Sequence, residues 1–139
     1  MVELAVVLMI LMLLVFGAIT TMQILMTQHT VAQAVRAAAH QAALLGGPDG
    51  PGGVLSTAPG EVAEAARQII DGGMGTSSER ATITVSCSDA SGRATAQCRR
   101  YNAITVRIQY DDAPWAPVGP FERVRADFSA TRATEQDQQ

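Results

Sequence analysis

The sequence predicts an α+β protein: a long N-terminal transmembrane helix continuing into a small extracytoplasmic domain, where one further helix packs on an antiparallel sheet of three, or four, strands. Three observations carry that expectation. No Asp, Glu, Lys or Arg occurs between Glu3 and Arg36. After Arg80 the apolar period shortens from about 3.6 residues to about 2. Both cysteines, Cys87 and Cys98, fall in the strand-rich part. The corresponding layout is a helix over residues 1–45, a Gly/Pro-rich loop over 46–60, and a helix-plus-sheet domain over 61–139.

The first element begins with Leu4–Ile19 (LAVVLMILMLLVFGAI), apolar throughout apart from Gly17. Carried on through Thr20, Thr21 and Gln23 to Met26, it measures about 34 Å, against a hydrocarbon core of about 30 Å, so it spans with modest tilt. A cleaved secretory signal also starts apolar at an N-terminus. Against that stand the lack of Lys or Arg before Arg36, the length of the run, and a helical pattern that continues without a small-x-small cleavage site. The same lack of basic flanks means that charge gives no orientation.

Orientation comes from the cysteines instead. Cys87 and Cys98 have ten residues between them in a polar, strand-rich segment, a pattern that suggests a disulfide in an oxidising compartment and so a soluble part outside the cytoplasm. Closing so short a loop contributes about 2.5–3 kcal/mol in the chain-entropy model, which matters where the core is small. Zinc is the competing use, but two sulfurs need two more ligands, and the only histidines, His29 and His40, sit on the N-terminal helix.

From Thr27 to Leu45 (TQHTVAQAVRAAAHQAALL) there is no Gly or Pro, so the membrane helix continues as one rod of about 64 Å from residue 3 to 45. Ala34, Ala38 and Ala42 recur at every fourth residue, as do Val35, Ala39 and Ala43, giving narrow faces that let another backbone approach. Two uses are open, and both can hold at different heights: packing beside helices of neighbouring subunits, or packing on the chain's own domain. Under the first, a bulky replacement of Ala38 is expected to abolish co-assembly without unfolding the domain.

Gly46–Gly60 holds six glycines and three prolines in fifteen residues, which ends the rod. A second helix follows, with Pro59 in its first turn, Glu61 and Glu64 at the positive dipole end, and Gly72 and Gly73 as the stop. Val62, Ala65, Ala66, Ile69 and Ile70 form its packing face. Three strands then alternate cleanly. Ile83, Val85 and Cys87 share one face, as do Ile104, Val106, Ile108 and Tyr110, and then Val124, Ala126, Phe128 and Ala130. Alternation of this kind suits a sheet with helices on one side and solvent on the other. Asp89–Gly92 (DASG) forms the turn after the first strand, with Cys98 in the same connection.

Asp111–Pro120 (DDAPWAPVGP) carries three prolines and the only tryptophan, and reads as a stiff loop. Trp115 serves either as a local anchor or as an exposed recognition residue. The tail from Thr134 is polar.

No constellation for catalysis emerges. His29 and His40 lie about 16 Å apart along a helix and cannot share a metal. Asp111 and Asp112 are adjacent carboxylates better explained by turn formation than by acid and base roles. No phosphate-binding glycine loop or nucleophile elbow is present in the sequence. With a net charge of −3 and no lysine, the chain offers no basic patch for nucleic acid. The expectation is a protein that is not an enzyme and takes no cofactor, metal or small-molecule substrate. Glu3, at the start of the spanning helix, is either solvated at the bilayer edge or paired with a neighbouring subunit's N-terminal amine, setting axial register.

An acidic residue opening a long apolar helix, then an alanine-rich extension with an arginine, then a small sheet, resembles the TadE-like family of tight-adherence (Flp) pilus proteins. VELAVVL at Val2–Leu8 resembles that family's Val-Glu-Phe-Ala opening. Gln33-Ala34-Val35-Arg36, with Ala38 and Ala39, resembles its Asn-Ala-Ala-Arg motif, and ITVRIQYDDAPWAP at Ile104–Pro117 resembles its terminal strand and proline-rich loop. Met9 stands where the family often has proline, so the family's helix kink is not expected here. Glu3 follows Met1 closely, whereas pilins of this type are cut after a basic leader; either a leader precedes this start or cleavage does not occur.

The resemblance implies a pilin-like fold and an inner-membrane minor pilin or pseudopilin. Its N-terminus would be cytoplasmic, and its partners would be other pilins, the pilus assembly platform and the lipid bilayer. A membrane-tethered binding module that never enters a filament is the alternative.

Overall fold

The computed structural model describes residues 2–46, 60–95, 98–99, 101–115 and 122–135. The body of the Gly/Pro-rich loop, Pro59, the second half of the proline-rich connection and the end of the tail lie outside these residues.

The first helix, α1 (Val2–Leu45), is one unbroken helix that continues through Met9. Its polar side chains near the middle are satisfied locally. Thr20 Oγ1 donates to the Phe16 carbonyl at 2.9 Å and Thr21 Oγ1 to the Gly17 carbonyl at 2.8 Å, so neither hydroxyl needs water. The helix ends where Gly46 takes a left-handed φ of 75° and its N–H bonds back to the Ala42 carbonyl.

The second helix, α2 (Glu61–Asp71), carries Glu61 and Glu64 in its first turn. It closes where the N–H of Gly72 and of Gly73 return to the carbonyls of Gln68 and Ile70. Asp71 then ties down the next segment by accepting from the backbone N–H and the hydroxyl of Ser78. The buried face of α2 is Val62, Ala63, Ala66 and Ile70. Ala63 is thus more deeply covered than Ala65 and Ile69, because α2 packs beside α1 and presents the flank turned towards it.

Four antiparallel strands form one sheet in the spatial order β2-β1-β3-β4: β1 (Ala81–Ser88), β2 (Ala94–Thr95), β3 (Ala103–Asp112) and β4 (Val124–Ala133). The fourth strand is the short β2, joined to β1 by the expected turn. There Asp89 Oδ1 accepts from Ser91 and Arg93, and Gly92 adopts φ 78°. Ser91's hydrogen bond, foremost, holds the Asp89 carboxyl below its usual range. Register pairs Val85 with Val106 and Ile108 with Phe128, so each apolar position meets its counterpart on the covered face.

Asp111 and Asp112 belong to β3 rather than to the following loop. The strand runs two residues further than the alternation of apolar residues indicates, because cross-strand charges extend the pairing. Asp111 accepts from Arg123 at 2.7 Å and lies 3.5 Å from Arg125, while Asp112 meets Arg80 at 3.8 Å.

The core is a single cluster between the helices and one face of the sheet. From α1 come Val31, Ala34, Val35, Ala38, Ala39, Ala42 and Ala43, and from the sheet Ile83, Val85, Ile104, Val106, Ile108, Tyr110 and Ala126. The opposite face is polar and exposed, with Arg107 and Asp127 paired across β3 and β4. The helix and sheet are pinned at their far end, where the Glu135 N–H reaches the Ala43 carbonyl at 3.2 Å.

Candidate assembly surface

Two halves of α1 have opposite environments. From Glu3 to Ile19 nearly every residue is exposed, including the large apolar side chains from Leu4 to Phe16, whereas from Thr20 onward one face is covered by the chain's own domain. Among the described residues, α1 is the one helix long and apolar enough to cross a membrane. Its bare half is what a bilayer, or a sheath of similar helices, would have to enclose.

Glu3 stands in the first turn of α1, exposed, at the positive end of the helix dipole. Arg36 is also exposed and shares a face with His29, Gln33 and His40, at intervals of four, three and four residues. This is the water-facing side of the rod. No group of three or more metal-ligating side chains occurs among the described residues.

All five alanines of the two small-residue faces are buried in the chain's own core. Of the two uses that the sequence leaves open, the structure describes the intramolecular one. Small side chains here let α1 lie close to β3, β4 and α2 together. A bulky residue at Ala38 would therefore press on the domain itself as well as on any neighbouring helix.

Cys87 and Cys98 are disulfide-bonded and almost fully buried, with Cα atoms 5.7 Å apart, so the bridge braces the β1–β3 connection from inside. Trp115 is both anchored and exposed. Its backbone N–H donates to Gln23 Oε1 at 2.9 Å, and the Cζ2 edge of its ring packs against Gly75, yet 57% of the residue remains accessible. Gly75 has φ 75° and a side chain there would collide with the indole, so both conformation and space demand glycine.

Sequence reasoning missed Gln23. It is buried with Thr20 and Thr27, three polar residues spaced three and four apart along an otherwise apolar segment. That spacing marks one helical face, and a polar stripe inside a spanning pattern could have signalled that something covers it.

Residues 1–40 match the family model described as TadE-like protein. The matched stretch takes in the bare half of α1, Glu3, Arg36 and the first of the core alanines. No curated protein and no solved structure matches the chain.

Proposed function

We propose that this chain is a membrane-anchored minor pilin or pseudopilin that takes part in assembling a tight-adherence (Flp) pilus. The observation that carries the reading is the family match over residues 1–40, falling on a helix whose first half is bare and apolar. The domain would stand outside the inner membrane with the N-terminus inside, in keeping with a buried disulfide formed in an oxidising compartment. The role is structural rather than catalytic.

Assembly in this reading is an exchange of surroundings. Lipid encloses the bare half of α1 while the subunit waits in the bilayer; helices of other pilins enclose it afterwards, aided by the assembly platform. Because the alanine faces are occupied within the monomer, intermolecular packing falls to Leu4–Ile19, with Gly17 the narrowest point. Glu3 would meet a neighbour's N-terminal amine and fix the axial step, a pairing that gains strength at an apolar boundary.

Fractionation tests the proposal. A minor pilin is recovered with sheared pili, and a pseudopilin stays with membranes but keeps pilin partners on pulldown. A chain that stays wholly with membranes and retains no pilin partner rejects the reading. Gly17→Leu sharpens it: nothing lies within 4 Å of a Cβ at this position, so the monomer tolerates the change while a closely approaching helix does not. Loss of pilin partners on pulldown is expected, from a subunit whose domain melts as before.

A further inference from the structure

We infer that the membrane-facing rim of the sheet domain, formed by Trp115 and Met74 beside Met22 and Leu25 of α1, is seated in the outer interface of the bilayer, with Trp115 at headgroup level. The inference rests on the reading that α1 spans that bilayer and adds a second, lateral contact with it.

Length supplies the first reason. The bare stretch Leu4–Ile19 measures only about 24 Å at about 1.5 Å per residue, some 6 Å short of a hydrocarbon core of about 30 Å. The chain's own domain begins to cover α1 at Thr20. A domain held wholly in water would leave the span too short, so its lower edge must enter the interfacial zone.

Position supplies the second. The hydrogen bond from the Trp115 N–H to Gln23 fixes this residue at the height of Gln23 on the rod. Gln23 is twenty residues beyond Glu3, which is about 30 Å along the axis. With Glu3 at one surface, Trp115 therefore falls at the other. Gly75 packs against the edge of the benzo ring of the indole, and 57% of Trp115 stays accessible.

Chemistry supplies the third. Among the described residues outside α1, the large apolar side chains classed as exposed are Met74, Tyr101 and Trp115, and two of these three lie on this rim. Met74, 69% accessible, stands over a mainly apolar groove of about 550 Å³ whose other wall is Leu25, Met26, His29 and Thr30 of α1. Among the charged groups at the same end of the sheet, Arg123 and Arg125 pair with Asp111 and Arg80 with Asp112, which lowers their cost of approaching lipid. Glu79 and Glu122 are exposed beside them and suit the wet headgroup side of the boundary. An amphipathic indole and thioether side chains at the foot of a spanning helix suit the headgroup boundary, where one end of a side chain is apolar and the other wet.

The test uses the full-length chain in vesicles of phosphatidylethanolamine and phosphatidylglycerol bearing bromine at shallow or deep acyl positions. Trp115 is the only tryptophan, so the native emission reports on it alone. Loss of emission is expected, stronger with shallow than with deep bromine. In a Trp115→Phe background, the indole of Tyr101→Trp reports on the opposite end of the domain, near the Ala43 level of α1, and no bromine quenching is expected there.

Vesicle flotation is read on the same samples. A chain that floats while Trp115 escapes quenching overturns the seating and leaves the spanning reading intact. Equal quenching at both positions also overturns it, since the domain would then lie along the membrane. A chain that fails to float overturns both.

Discussion

Ala38→Leu is the most direct probe of how α1 uses its small residues. Ala38 is fully buried between α1 and the rest of the core. Leucine adds three carbons where no exposed surface remains to take them, and overpacking of this kind costs about 1–3 kcal/mol. Helix propensity contributes little, since alanine and leucine are both strong helix formers. For a domain of this size each kcal/mol lowers the midpoint by about 4–8 °C, so the variant should melt roughly 5–20 °C below the parent.

Gln33→Leu is the matched control, on the same helix but exposed, and should stay within about 0.5 kcal/mol of the parent. Near-ultraviolet circular dichroism of the oxidised, full-length chain in micelles follows the domain rather than the helix. Should Ala38→Leu melt together with Gln33→Leu and the parent, the alanine faces are not packed inside the monomer, and their use between subunits returns.

Three further outcomes are expected. The Asp127 carboxyl is held down to about 2, chiefly by the hydrogen bonds of the Arg107 guanidinium. A depressed carboxyl favours the folded state above the usual range of such groups, and the benefit disappears as pH falls through the folded value near 2. Nuclear magnetic resonance titration should place the midpoint there, and Arg107→Gln should raise it towards 3.8; an unmoved midpoint would refute the pairing. Reducing the Cys87–Cys98 bridge, or replacing both residues with alanine, should cost about 2.5–3 kcal/mol from restored chain entropy, read as a lowered midpoint with the α1 signal retained. Gly75→Ala forces a side chain into a left-handed residue and against the Trp115 ring, so a loss of at least about 1 kcal/mol should accompany a shifted tryptophan emission. An unchanged spectrum would mean that the ring does not rest there.

Much of the architecture is readable residue by residue. Ile83, Val85 and Cys87, and Ile104 to Tyr110, declare their covered face because a strand turns alternate side chains the same way. The rod from Val2 to Leu45 follows from a run without proline, and Gly46 ends it where a left-handed residue is needed. The two cysteines point to each other because they are the only pair, close together in a strand-rich segment, while the histidines sit far off on the N-terminal helix.

Other features depend on surfaces meeting across the chain, which no local period encodes. Ala63 is covered because of where α2 sits against α1, and Asp111 extends β3 because Arg123 and Arg125 arrive opposite. Small residues at i and i+4 fit a neighbouring subunit's backbone as well as the chain's own sheet, and only the packed fold chooses between them. Trp115 meets Gln23 across 92 residues, a contact that sets how far down the helix the domain reaches. Composition alone therefore dictates that the first helix needs an apolar surrounding, whereas the length of helix left bare is decided by where the sheet docks against it.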